Sequence, residues 1–196
     1  MKQYSLEFCF KGSRQYVHGT DIYNKLIATL KDEMSNEKVD LSFHGVAKTN
    51  LNLNIQKPAD EKLLKFVFKF MNKEGNREVL YAVENSETIE CRYEYPEEDI
   101  CQLSNVDIEN QKISLDQDSS YTFVENAVAL NKYLLENLFP DVEGKWYFTR
   151  FQLATIPNEA IYPLRLELRA NFNFKLTKTE IFIDQQSVGF IYFSLV

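Results

Sequence analysis

The run from Thr122 to Leu138, TFVENAVALNKYLLENL, sets Val124, Val128, Leu134, Leu135 and Leu138 at mixed three- and four-residue spacings, the period of an amphipathic helix. Thr122 with Glu125 three residues on is a capping-box start, and Pro140 marks the stop. A second, weaker helix is predicted over Thr20 to Lys31, with Ile22, Leu26, Ile27 and Leu30 on one face. Thr20 or Asp21 can cap it, and Gly19 lets the backbone turn sharply into it.

Most of the remaining chain alternates with period two. Lys2 to Phe10 places Tyr4, Leu6, Phe8 and Phe10 against Gln3, Ser5, Glu7 and Cys9, a strand with one buried face, and a polar loop follows at Lys11 to Gln15. Leu41 and Phe43 mark another strand, with Gly45 as a bulge, and Leu51, Leu53 and Ile55 mark the next. Leu64, Phe66, Phe68 and Phe70 alternate; Val79, Tyr81 and Val83 return; Asn85 and Ser86 turn again into Thr88 to Tyr95. After Val106, Ile108, Ile113 and Leu115 comes the long helix, then a strand from Lys145 to Thr155. Leu164 to Leu176 reads as one long, bent strand, and Glu180 to Ile183 and Val188 to Val196 close the chain.

Strand, helix and a run of strands thus occur twice at an offset of about one hundred residues. YAVENSETIECRYEY from Tyr81 aligns with EIFIDQQSVGFIYFSL, setting Val83 against Ile183, the Asn85 turn against Gln185 and Tyr93 against Phe193. Residue identity between the halves is poor, so the repeat is one of pattern. The expected fold class is α+β, one compact pseudo-dimeric unit of two halves, 1–100 and 101–196.

Composition narrows the function. The 196 residues are 44% hydrophobic, enough for a sizeable core, and only six glycines and five prolines leave little room for a flexible linker. A net charge of −7 argues against general affinity for nucleic acid or anionic membrane, because no Lys/Arg stripe is present to neutralise phosphates. No stretch approaches the roughly 18 apolar residues that span a bilayer, and MKQYSLEFCFKG lacks a signal-peptide core, so a soluble, cytoplasmic protein is expected. Cys9, Cys91 and Cys101 are odd in number and scattered, which fits reduced thiols; with His18 and His44 alone, no metal cluster and no cofactor motif can be read.

The element order resembles the hotdog fold, in which a sheet wraps around a central helix, and two such units look like a double hotdog. FVENAVALNKYLLENL is similar to the helix of acyl-CoA thioesterases of that fold, of the form G-H-x-N-N-A-x-Y-L, with Asn126-Ala127 as the surviving fragment and the Gly-His opening missing. YVHGTDIYNKL has His18 and Gly19 just ahead of its helix, as thioesterases and dehydratases of the fold often do, while the proline-rich loop of the acyl-carrier-protein dehydratases is absent.

The resemblance implies a site between two such units at a helix start, where free N–H groups and the positive helix end polarise a thioester carbonyl. It assigns acid–base work to His18, with Asp21 and Glu125 as catalytic partners, and substrate contact to Gly19 and Asn126; Asn131, a polar group near the apolar stripe of its helix, is a further candidate to line the pocket. The substrate would be an acyl-CoA or an acyl-carrier protein, and hydrolysis or dehydration the reaction, with no cofactor and a homo-oligomer possible through leftover strand edges. Each residue has a plainer role. Asp21 and Glu125 sit where caps belong, His18 can order a loop, His44 can simply face solvent, and Asn131 can bond a backbone group. Arg150, Arg165, Arg169 and Lys175 can meet coenzyme A phosphates or form a solvated sheet face. A non-enzymatic hotdog protein binding an acyl ligand or a partner is the alternative, and a helix-grip lipid-binding domain is a third.

Overall fold

Period-two alternation becomes strand almost wherever it occurs in the chain. The computed structural model describes residues 4–157 and 161–196, and the chain divides into two compact units between Tyr95 and Pro96. No helix among the described residues is long and apolar enough to cross a membrane.

The first unit contains β1 (Tyr4–Leu6), β2 (Phe10–Lys11), α1 (Gly19–Leu30), β3 (Glu37–Phe43), β4 (Thr49–Asn54), β5 (Leu64–Met71), β6 (Arg77–Thr88) and β7 (Arg92–Tyr93). Its antiparallel strands run in the order β1-β4-β6-β5-β3, and β2 pairs in parallel with β7. Leu6, Leu41, Leu51, Leu53, Phe66 and Phe68 are wholly buried, which is the phase that the alternation predicts, but β6 buries Leu80 and Ala82 and leaves Val79, Tyr81 and Val83 half-buried, the phase opposite to the one expected. From α1 the buried residues are Thr20, Ile22, Tyr23, Leu26 and Leu30.

The second unit contains α2 (Glu97–Gln102), β8 (Asn105–Asp107), β9 (Lys112–Leu115), α3 (Phe123–Leu138), β10 (Trp146–Thr155), β11 (Leu164–Asn171), β12 (Thr177–Ile183) and β13 (Gln186–Leu195). Its strands run β10-β13-β12-β11-β9-β8, all antiparallel. The helix α3 lies against β9, β11 and β13 and buries every residue from Asn126 to Asn131, so it is enclosed on more than one face. Antiparallel sheet with few helices is the α+β class expected, and it fits a hotdog fold.

Several local expectations fail for identifiable reasons. Leu164 to Leu176 is not one strand: Asn173 and Phe174 take positive φ, and the Asn171 side chain accepts from the Phe174 N–H, making a hairpin turn out of a stretch that alternates in sequence. Asn85 and Ser86 do not turn the chain, because β6 runs through to Thr88 with a bulge opposite Thr49 and Leu51. The hairpin aligned with that position exists only in the second unit, where Asp184 has positive φ between β12 and β13. Gly45 lies just past the end of β3 and is the bulge expected, its N–H and that of His44 both donating to the Lys65 carbonyl, two residues facing one. The first strand breaks up after Leu6, and its predicted start at Lys2 and Gln3 lies outside the described residues. The missed helix α2 had a signal, Pro96 followed by Glu97, Glu98 and Asp99, acidic residues at a helix N-terminus. Cys9 and Cys91 are joined in a disulfide across 82 residues, overturning the reading of three reduced thiols; Cys101 alone is free.

Candidate functional site

The strand that begins the chain loses its phase at the disulfide. Leu6 and Phe8 are buried as expected, but Phe10 is only half-buried and Lys11 is fully buried in its place. The short β2–β7 pairing beside Cys9–Cys91 turns the Lys11 side chain inward. A buried ammonium is tolerated only with partners, and Lys11 has them. Its Nζ donates to Thr20 Oγ1 and to Asp21 Oδ1, each at 3.1 Å, and lies 3.9 Å from the Tyr95 ring centre and 5.7 Å from that of Tyr93.

His18 is the N-cap residue of α1, two positions before Thr20 and three before Asp21, the caps expected from sequence. Its backbone carbonyl accepts from the N–H groups of Asp21 and Ile22, and no side chain caps the helix. Its ring is 8% exposed, with Nδ1 2.7 Å from Thr20 Oγ1 and its centre 6.2 Å from that of Tyr95. Gly19 is the first helical residue rather than a sharp turn before it. Thr20 is therefore no cap: its hydroxyl stands between Lys11 and His18. Asp21 has both carboxylate oxygens engaged, Oδ1 by Lys11 and Oδ2 by the Tyr93 hydroxyl at 2.7 Å. It lines an open groove of about 370 Å³ with Phe8, Cys9, Asn24 and Tyr93, and His18 is not among the lining residues.

In the second unit Glu125 completes the predicted capping box. Its carboxylate accepts from the Thr122 N–H at 3.0 Å and from the Thr122 hydroxyl at 2.7 Å. Asn126 is wholly buried and well bonded. Its Oδ1 accepts from Ser119 Oγ at 2.6 Å, and its Nδ2 donates to the Tyr121 carbonyl at 3.2 Å and to the Tyr162 hydroxyl at 3.0 Å. The Tyr162 hydroxyl in turn reaches Asp118 Oδ1 at 3.3 Å. These bonds tie the loop before α3 and the residue before cis-Pro163 to the helix, a structural task. Asn131 is different: wholly buried, with neither amide atom hydrogen-bonded, so the backbone bond expected as its plain role is not made.

Arg165 and Arg169 of the second half are ion-paired on the sheet. Glu167 is contacted by Arg165 at 3.0 Å, Arg169 at 2.6 Å and Lys112 at 3.8 Å, and Arg169 also holds Glu180 at 2.7 Å. Arg150 lies over the Tyr192 ring at 5.7 Å. This is the sheet-face reading of those charges. Among the described residues no group of three or more His, Cys, Asp and Glu side chains could hold a metal ion. His44 is exposed.

Neither a family model nor a curated protein matches the chain. Solved structures do resemble it. The tesB protein of Mycobacterium avium subspecies paratuberculosis is 6% identical over 97% of this chain and 90% of its own, with a TM-score of 0.49. The dehydratase domain of PpsC from Mycobacterium tuberculosis, in complex with C12:1-CoA, is 8% identical over 99% and 92%, at 0.46. An acyl-ACP thioesterase from Bacteroides thetaiotaomicron is 12% identical over 99% and 96%, at 0.39. Each is a protein that this chain resembles, and no residue role is carried across at these scores.

Sequence reading located His18 and missed what surrounds it. Lys11 fell in a stretch that looks like polar loop, and its burial depends on a phase break made by Cys9 and Cys91. Tyr93 and Tyr95 meet Lys11 and Asp21 from more than seventy residues away, which no local pattern encodes. Tyr162, thirty-six residues from Asn126, was likewise missed, and so was Ser119, seven residues before Asn126. The one available signal was chemical: Lys11, Thr20 and Asp21 are donor, acceptor and carboxylate near both ends of one short loop.

Proposed function

We propose that the chain is a double-hotdog protein, halves 1–100 and 101–196, that binds an acyl thioester of coenzyme A or a carrier protein, with His18 acting on it in hydrolysis or dehydration. The observation that carries this reading is the placement of His18: its ring is fixed through Nδ1 at 2.7 Å from Thr20, at the start of a helix that no side chain caps. An imidazole held beside first-turn N–H groups is suited to a carbonyl whose oxygen gains negative charge. Gly19, with no side chain, lets a ligand approach that turn. Asn131 is the second candidate contact, since its buried amide has hydrogen-bonding capacity to give a ligand.

Asp21, Glu125 and Asn126 are weaker members of this proposal than sequence made them. Their polar atoms are occupied by Lys11 and Tyr93, by Thr122, and by Ser119, Tyr121 and Tyr162. That occupation favours the second reading, a protein of the same fold that binds an acyl ligand or a partner without turning it over. The Cys9–Cys91 disulfide argues for an oxidising compartment and against the cytoplasmic location expected from sequence.

The deciding experiment is acyl-CoA hydrolysis by the purified chain across short and long acyl groups, read as free thiol released, beside His18→Ala. Turnover that drops at least about 100-fold in the variant, the usual scale of a lost acid–base group, supports the enzyme reading. Absence of turnover with every acyl-CoA and with an acyl-carrier protein leaves binding as the function.

A further inference from the structure

We propose that the Cys9–Cys91 disulfide is a thiol-exchange site that latches residues 90–95 as a strap over the start of α1, and that its reduction releases the strap and opens the Lys11–Asp21 pair to solvent. The inference goes beyond the reading above and rests on it only for what the start of α1 does to a ligand.

Residues 90–94 are all exposed, Cys91 among them, and Cys9 lines the open groove beside Asp21 and Tyr93. Exposed disulfides are the ones that exchange, because an incoming thiolate must reach a sulfur. The other bonds of the strap lie at the surface. Among the described residues β7 pairs only with β2, over two residues: the Phe10 N–H donates to the Cys91 carbonyl at 3.0 Å, and the Gly12 N–H to the Tyr93 carbonyl at 2.8 Å. Arg92 donates to the Gly12 and Arg14 carbonyls from an exposed position. A ribbon of two strands is marginal in water. The disulfide, which joins residues 82 apart, is what keeps these two strands together against the entropy of closing so long a loop.

Beneath the strap is a charge pair. Lys11 is wholly buried, with Nζ 3.9 Å from the Tyr95 ring centre and 5.7 Å from that of Tyr93. The Tyr93 hydroxyl donates to one oxygen of Asp21 at 2.7 Å, and Lys11 holds the other at 3.1 Å. Both rings belong to the strap. When it leaves, Lys11 loses two aromatic faces and Asp21 a donor, and water takes their place around an ammonium that burial penalises. The reduced chain then presents a solvated ammonium and carboxylate at the first turn of α1.

The reductant is a thiol, two equivalents of a monothiol or one dithiol. Its thiolate attacks one sulfur; the Cys9–Cys91 bond breaks as the new S–S bond forms, and the other cysteine leaves as a thiolate and takes up a proton. A second thiolate displaces the remaining cysteine from the mixed disulfide. The chain gains two electrons and two protons, and the reagent becomes its own disulfide.

The test is acetylation of the lysines of the full chain by N-hydroxysuccinimidyl acetate, read residue by residue by mass spectrometry. It is run on the oxidised chain and on chain reduced with dithiothreitol, the reductant being removed under argon. Lys73, exposed in the turn between β5 and β6, is the internal reference. Relative to Lys73, Lys11 is expected to label at least about ten-fold faster after reduction, the effect of a local opening. Cys91→Ser is expected to label at the reduced rate with or without dithiothreitol. Equal labelling of Lys11 before and after reduction overturns the proposal. So does loss of amide-exchange protection across β3 to β6 on reduction, since the bond would then staple the whole unit rather than latch a strap. Should Cys91→Ser fail to fold, the labelling and exchange of the reduced wild type decide. No acyl ligand is used, so absent turnover strikes the proposed function and a strap that stays shut strikes this inference, each alone.

Discussion

The two units share a vocabulary and differ in how they join it. Leaving aside the small β2–β7 sheet, β1 alone precedes the main helix in the first unit and β8 and β9 in the second, and four strands follow in each, β3–β6 and β10–β13. The first of the four ends its unit's order, and the second pairs with a strand before the helix, β4 with β1 and β11 with β9. The central two are exchanged. In the first unit the third strand, β5, is the neighbour of the first, whereas in the second unit it is the fourth, β13. Connection length explains the difference. Residues 55–63 between β4 and β5 can cross over β6, but β11 to β12 has 172–176 and β12 to β13 only 184–185, which join adjacent antiparallel strands and nothing else. A repeat read from hydrophobic pattern is thus a repeat of elements, and short turns can rewrite the pairing within it.

The close approach of β13 to β10 gives the sharpest test of that difference. Gly189 pairs with Leu153, and a β-carbon added to it would lie 2.0 Å from the Gln152 carbonyl oxygen and 2.8 Å from Leu153 Cα, both backbone atoms of β10. The strands would have to separate. Gly189→Ala is expected to destabilise the second unit by more than about 4 kcal/mol, the range of severe single substitutions. Gly45→Ala in the first unit, where the nearest atom is 3.5 Å away, should stay within about 0.5 kcal/mol. Urea unfolding followed by fluorescence of Trp146, the one tryptophan and a residue of β10, reads the first variant directly. An unchanged midpoint there would mean that β10 and β13 are not joined in this register.

The first unit is closed by a covalent bond and the second is not. Cys9→Ser removes a link across 82 residues and should cost the first unit about 2–4 kcal/mol, with faster amide exchange at 8–12 and 90–95. In the second unit burial, with Glu97 next in effect, pushes the Cys101 thiol up to about 11, so it stays protonated near pH 8. After mild reduction, alkylation should label Cys9 and Cys91 well before Cys101. Equal labelling of all three before reduction would remove the disulfide and with it the explanation of why Lys11 turns inward.

What sequence made legible follows from range. Helix α3, its capping box at Thr122 and Glu125 and its stop before Pro140 all lie within one turn of the residues that specify them, and they appear as read. Leu64 to Phe70 did too, because its partners only deepen a phase that is already in the sequence. Asn171 to Leu176 misled because Asn-Phe-Asn-Phe alternates equally well as strand or as left-handed turn, and the Asn171 side chain settles it. The candidate site was half legible. His18 stands out by chemistry, but Lys11, Tyr93 and Tyr95 are assembled by a disulfide and a two-residue parallel pairing that bring distant segments together. Asp21 and Asn126 were read as functional because their type suits catalysis, and their actual bonds show how well the same types suit a fold.

The smallest expected effect is one in which the units behave alike. Each has a carboxylate on its sheet whose charged form is held by neighbours against burial. Burial pushes Glu84 up, but the Lys48 N–H, Lys65 Nζ at 2.8 Å and the Thr49 N–H bring it below the ordinary 4.5. Burial acts likewise on Glu180, and Ser187 Oγ at 2.7 Å with Arg169 reverses it. In both, the folded-state value is below the unfolded one, so the stabilisation is complete above about pH 4.5 and is lost as the pH falls through the folded value. Both groups are partly solvated, which limits each to under about 1 kcal/mol. Glu84→Gln and Glu180→Gln should therefore each lower the melting temperature by a degree or so at pH 6 and flatten its decline between pH 4.5 and 3. A steeper decline in either variant would mean that its carboxylate is repelled in the fold rather than held.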